Sequence, residues 1–173
     1  MNRRESIRML MAATGTLVAL PAWANGWSRG DVLASSSNFS VLEEGVLAHV
    51  VDTIIPAGNA IGALSVGVDK FLVKLLDNCY EQDVRDNVKV QLSAIEASAN
   101  KSFAKAFGSC DQVQRQELLM RLSNSTDKPE KDFFDLIKGE TIRGFNTSKE
   151  VMLGYLKYKV VPGHYYGCVD VTT

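Results

Sequence analysis

The chain has 173 residues, 46% of them apolar, with 19 basic against 20 acidic side chains. That length and apolar fraction suit one domain with its own core. A formal charge of -1, with no basic stripe, gives no electrostatic basis for binding nucleic acid. Two histidines, His49 and His164, and three cysteines without a Cys-x-x-Cys pair offer few ligands for zinc or haem.

The first residues read as an export label. Met1 to Arg8 is basic, Met9 to Leu20 is mildly apolar and interrupted by Thr14, Gly15 and Thr16, and Pro21 precedes Ala22-Trp23-Ala24, a small-x-small cleavage site. The adjacent Arg3 and Arg4, followed by a weakly apolar stretch, point to the twin-arginine route. A Sec signal is the alternative. The apolar run is shorter than the ~20 residues a membrane span needs. The mature chain is then expected from Asn25, with 25–39 as a Gly, Ser and Asn-rich leader.

Ser40-Val41-Leu42-Glu43 has the spacing of a capping box. It opens a helix whose apolar positions are Leu42, Val46, Val50 and Ile54 and which Pro56 ends. Ala57 to Gly67 is an uncharged loop with three glycines. A second helix, about Val68 to Tyr80, is expected to bury Val68, Phe71, Leu72, Leu75, Leu76 and Cys79. A longer third one carries Val84, Val88, Leu92, Ile95, Ala99 and Phe103, with Gly108 as its C-terminal cap. Ser109 or Asp111 caps a fourth helix with Val113, Leu118, Leu119 and Leu122. Pro129 suits the first turn of a fifth, which places Phe133, Phe134, Leu136, Ile137 and Thr141 inside and ends at Gly144. Ser148 starts a short last helix that stops near Gly154. No segment alternates long enough for a strand, so the fold class is all-α: one domain over 40–173 of five or six helices and an irregular C-terminal tail.

That tail, 155–173, concentrates Tyr155, Tyr158, Pro162, Gly163, His164, Tyr165, Tyr166, Gly167 and Cys168. Pro and Gly make it an extended, turning segment. Its tyrosines either form a protein interface or cover the helical core. His49 and Asp52 lie three apart on one helix and can touch. They could orient a catalytic base, or simply solvate the helix end. Neither a Gly-x-Gly-x-x-Gly cradle nor a Gly-x-Ser-x-Gly elbow occurs. Cys79 and Cys110 fall at helix boundaries and can close an intrachain bridge. Cys79 can equally be a buried thiol, or Cys168 can pair within the chain. An odd count leaves one thiol free or bonded to another chain.

Several segments, in order, resemble the gluconate 2-dehydrogenase subunit 3 family: the Arg3-Arg4 signal, Val51-Asp52-Thr53-Ile54-Ile55-Pro56, the step from Gly62-Ala63 to Val68-Asp69-Lys70-Phe71, Thr141 to Ser148, and Val161-Pro162-Gly163-His164-Tyr165-Tyr166-Gly167-Cys168. The stretch from Glu81 to Lys128 carries no matching motif. The resemblance implies a small, non-catalytic subunit with no cofactor of its own. Its partners would be an FAD-containing catalytic subunit that oxidises a sugar, polyol or sugar acid, a multihaem cytochrome c subunit, and the twin-arginine translocase. Fe–S and haem c centres would belong to the partners. The complex would be periplasmic and membrane-associated. The tail residues Tyr155 to Gly167 would clasp the catalytic subunit, with Cys168 as the intersubunit disulfide candidate. Two other readings remain open from the residues alone: a stand-alone periplasmic hydrolase using His49 or His164, and a helical binding module for another partner.

Overall fold

The computed structural model describes residues 37–159. Chain entry is fastened rather than loose. The Asn38 backbone N–H and side-chain amide donate to the Asp77 carboxylate at 3.3 and 3.1 Å. Phe39 is buried, with the Lys89 ammonium 5.4 Å from its ring centre. The last three positions of the expected leader therefore belong to the folded body.

Helix α1, Val41–Ile54, begins at the expected capping box. Ser40 Oγ accepts from Glu43 N–H at 3.3 Å, and the Glu43 carboxylate accepts from Ser40 N–H at 2.7 Å. Such a cap contributes about 1 kcal/mol. The buried face is Leu47, Val50, Val51 and Thr53. The expected stripe is thus rotated: Leu42 is 82% exposed. The reason is that α1 is central. It touches each of the next four helices and the turn at Phe107–Ser109, so its middle and end are enclosed while its first turn projects.

After Pro56 the chain folds back on itself. Ala63 N–H donates to the Ile55 carbonyl at 3.0 Å and closes the loop at its neck. Gly62 is pressed against the backbone of Pro56 and Ala57. A Cβ there would fall 2.8 Å from Ala57 Cα, closer than side chains approach backbone. A 3-10 turn at Leu64–Val66 and the left-handed Gly67 (φ 75) then launch α2, Val68–Cys79.

Helix α3, Gln82–Phe103, buries Val88, Leu92, Ile95 and Ala99 at the expected spacing. It does not run to Gly108. Ala104 takes the left-handed conformation (φ 53) and ends it. Gly108 instead lies in a second 3-10 turn, Phe107–Ser109, whose Phe107 is fully buried. Helix α4, Gln112–Ser123, is capped by Asp111, whose carboxylate accepts from Gln114 N–H at 2.8 Å; Gln114 returns the bond to Asp111 N–H at 3.1 Å. Leu118 and Leu119 are buried, but Val113 is 72% exposed. Helix α5, Lys128–Asn146, has Pro129 in its first turn and buries Phe133, Ile137 and Thr141. It continues through Gly144 rather than stopping there. A short α6, Lys149–Gly154, is anchored by Val151. Among the described residues there is no strand, and the all-α expectation holds.

Gly144 continues the helix because it is a contact point. A Cβ there would lie 2.7 Å from Cδ1 of Phe71, and Val68 is adjacent, so α2 rides directly on the α5 backbone. The family-like segments at Pro56, Gly62 to Phe71 and Thr141 to Ser148 are brought together in this one corner.

The two kinds of glycine predict opposite outcomes. Gly62→Ala should lower unfolding stability by about 1–3 kcal/mol, because the new methyl meets backbone that cannot move cheaply. Gly45→Ala, mid-helix in α1 with open space, should raise it by about 0.5–1 kcal/mol. Urea midpoints of the two variants check this; a stabilised Gly62→Ala protein contradicts the loop geometry described.

Candidate functional site

The strongest chemical pair in the sequence, His49 and Asp52, does sit on one side of α1, but a third residue organises it. Arg115, from the first turn of α4, places Nη1 3.2 Å from Asp52 Oδ2 and 3.5 Å from His49 Nδ1. Its Nη2 donates to Gln112 Oε1 at 3.2 Å. A guanidinium N–H can only donate, so in this contact His49 Nδ1 is the acceptor. The other edge of the ring lies over Gly108: a Cβ on that glycine would fall 2.6 Å from His49 Cδ2.

The cluster also closes the end of α1. The last carbonyls of a helix lack intrahelical donors. Here Gln112 Nε2 donates to the Thr53 carbonyl at 3.2 Å. The last turn of α1 has no basic residue of its own. Arg115 supplies the missing cation from α4, where it favours the negative end of the helix dipole. With 13% of its side chain exposed and 26% of that of Asp52, the pair is mostly shielded from water. Chemically this arrangement is a clamp between α1 and α4. His49 Nδ1 faces a donor and its ring edge faces the Gly108 backbone.

Arg115 and Gln112 were not among the expected site residues. A signal for them was present: Gln112, Arg115, Leu118, Leu119 and Leu122 recur at 3–4 residue spacing on α4. The two polar members continue the buried stripe at the helix start.

The cysteines depart from expectation. Cys79 and Cys110 are both free. Cys79 is exposed at the end of α2, not buried on its apolar face, while Cys110 is buried with Sγ 3.5 Å from the Ala106 carbonyl. One thiol faces solvent and the other is packed inward, so the expected Cys79–Cys110 bridge is not formed. Arg3, Arg4, Ala22, Ala24, Pro162, Gly163, His164, Tyr165, Tyr166, Gly167 and Cys168 lie outside the described residues.

Tyr155 and Tyr158 are described, and they stand out from the body. Leu153, Tyr155, Leu156 and Tyr158 are exposed by 52%, 57%, 58% and 49%. Their backbone is nonetheless ordered by hydrogen bonds: Tyr155 and Leu156 N–H donate to the Val151 carbonyl, and Tyr158 N–H donates to that of Met152 at 2.9 Å. Lys157 between them is left-handed (φ 53), a conformation that costs a non-glycine residue about 1–2 kcal/mol.

One further polar link crosses from α2 to α5. Tyr80 Oη donates to Glu140 Oε1 at 3.2 Å, and Arg143 Nη1 lies 3.4 Å from the same oxygen. Burial, and then the Glu140 carboxylate, push the Tyr80 phenol above its ordinary pKa of 10.0. Among the described residues no three His, Cys, Asp or Glu side chains converge as a metal site, and no helix is long and apolar enough to cross a membrane.

The model of the gluconate 2-dehydrogenase subunit 3 family matches residues 42–163, more than two thirds of the chain. The chain belongs to this family. No curated protein and no solved structure matches.

Two measurements test the geometry. Arg115→Met should destabilise the fold by about 1–3 kcal/mol, since it leaves Asp52 and Gln112 without their partner. An unchanged thermal midpoint would show that the clamp contributes nothing. For Tyr80, the folded state favours the neutral phenol, so its share of stability is present below pH 10 and fades as pH rises through the raised folded value. Unfolding free energy should accordingly decline less steeply above pH 10 in Tyr80→Phe than in the parent.

Proposed function

We propose that this subunit is the non-catalytic small subunit of a periplasmic FAD-dependent dehydrogenase of sugars, polyols or sugar acids. It stabilises the flavoprotein catalytic subunit and takes it across the inner membrane on the twin-arginine signal of residues 1–24. The observation that carries this reading is the ordered, exposed apolar segment Leu153–Tyr158 in a member of a dehydrogenase-subunit family. Single exposed apolar side chains need no explanation, but four within six residues form a patch of the kind that marks interaction sites. Tyrosines suit such a role because they offer large, stiff contact area with a polar tip.

Binding is the mechanism. A partner that docks on the loaded flavoprotein, and not on its unfolded chain, raises the stability of the loaded form by mass action. FAD, with Fe–S or haem c centres, resides in the partner subunits, and a multihaem cytochrome c accepts the electrons. The engagement of His49 and Asp52 by Arg115 supports a structural rather than a catalytic role for that pair. Cys168 extends the same tail and is the thiol assigned to an intersubunit disulfide; the inward packing of Cys110 favours it over that residue.

Purification of the tagged full chain from its host tests the reading. An FAD-containing dehydrogenase subunit should co-elute. Recovery should fall about tenfold when Leu153, Leu156 and Tyr158 are replaced by Ser, the size of a lost hot spot. In Arg3→Lys/Arg4→Lys cells the dehydrogenase activity should stay in the cytoplasm. Flavin bound to the isolated chain, or normal periplasmic activity in the double-lysine strain, overturns the proposal.

A further inference from the structure

A groove of about 410 Å³ opens between the first turns of α3 and α5. Phe133 is its buried floor, with half-buried Val84 and Leu136 beside it and exposed Pro129 on one wall. Asn87 Nδ2 donates to the Pro129 carbonyl at 3.1 Å, so the two walls are tied and the groove stands open without rearrangement. Preorganisation of that kind lowers the ordering cost of an incoming side chain.

The rim is acidic. Asp83 and Asp132 line it against a single cation, Lys128. Neither aspartate takes part in an ion pair among the described residues. Both sit in or near the start of a helix, where a partial positive charge of about half a unit favours a carboxylate. That accounts for part of the acid but not for its excess: exposed Glu81 and Asp127 occupy the two N-cap positions as well. The groove therefore joins an apolar floor to unspent negative charge.

We propose that this groove is a second docking site for the dehydrogenase catalytic subunit, and that it takes an apolar side chain flanked by Lys or Arg. The inference rests on the partner binding proposed above. An apolar anchor fills the Phe133 floor while the flanking cations meet Asp83 and Asp132, the complementarity that sets orientation and encounter rate. The site lies at the opposite end of α5 from α6. The groove takes its α5 residues from the N-terminal half of that helix, and the Leu153–Tyr158 patch follows its C-terminal end. Two separate contacts define the orientation of a partner better than either alone.

The test uses the full chain co-expressed with the FAD-containing catalytic subunit. Asp83→Lys/Asp132→Lys should weaken their association about tenfold, and Asp83→Asn/Asp132→Asn by less. Circular dichroism of each variant shows whether it remains folded. A photo-crosslinking benzoylphenylalanine at Lys128 leaves both aspartates in place. It should capture a catalytic-subunit peptide in which an apolar residue adjoins Lys or Arg. Unchanged affinity in a folded double-lysine variant, a crosslink to a second copy of this chain, a captured peptide lacking a basic residue, or no crosslink at all overturns the groove assignment. If the Leu153, Leu156 and Tyr158 variant still loses the partner, the accessory role survives that result. If the unaltered chain binds no catalytic subunit, both fall together.

Discussion

The close approach of α2 to α5 at Gly144 is the constraint on which the rest of the molecule depends. Without a side chain at that position, Phe71 and Val68 reach the α5 backbone. The loop from Pro56 to Gly67 must then deliver α2 to that spot, and it does so through a second close approach, Gly62 on Pro56 and Ala57. The Ala63 to Ile55 hydrogen bond shuts the loop, and left-handed Gly67 aims the helix. Three glycines thus fix one corner through two different effects: missing Cβ atoms at Gly62 and Gly144, and backbone conformation at Gly67. The segments read as family-like at Pro56, Gly62 to Phe71 and Thr141 to Ser148 include the residues that build this corner.

Around that corner α1 serves as the post. Its N-terminus is set by its own residues, through the Ser40–Glu43 box, but its C-terminus is closed from elsewhere. Gln112 supplies a donor, Arg115 a positive charge, and Gly108 the flat backbone on which His49 rests. A helix that borrows its C-terminal cap from α4 cannot shift without disturbing that helix. This gives the mostly shielded ion pair a structural role. Breaking such a pair costs more than forming it gains, because the surviving charge is left without water or partner. It acts as a lock on one arrangement.

Much of this was legible in the sequence, and the exceptions share a cause. The α3 stripe of Val88, Leu92, Ile95 and Ala99 appears at the expected positions because that helix buries one face only. The caps at Ser40 and Asp111 are local chemistry and could be read directly. Expectations failed where a distant residue decides. Leu42 and Val113 have helical spacing, but spacing does not reveal that the first turn of α1 projects or that Val113 falls on the outer face of α4, whose first turn meets α1 through Gln112 and Arg115. Gly144 looked like a stop because glycine weakens helices, yet tertiary contact with Phe71 outweighs a propensity penalty of about 1 kcal/mol. Gly108 and Ala104 show the converse: the glycine was free to serve as a cap, but it was needed under His49, and alanine took the left-handed turn instead. The His49–Asp52 pair was visible, whereas Arg115 was not, because it enters from 63 residues away.

The same division separates what is rigid from what is offered outward. The glycine corner holds the C-terminal end of α5, and α6 packs against that helix through Val151. Leu153–Tyr158 therefore projects from the most tightly specified part of the fold, with Lys157 held in a conformation that a loose tail would relax. A non-glycine residue stays left-handed only where its surroundings over-determine it. Here the backbone bonds to Val151 and Met152 supply that determination, while the side chains they order remain half in water. Among the described residues these four large apolar groups are ordered without being covered. That order lowers the entropy that would otherwise be lost when another surface covers them.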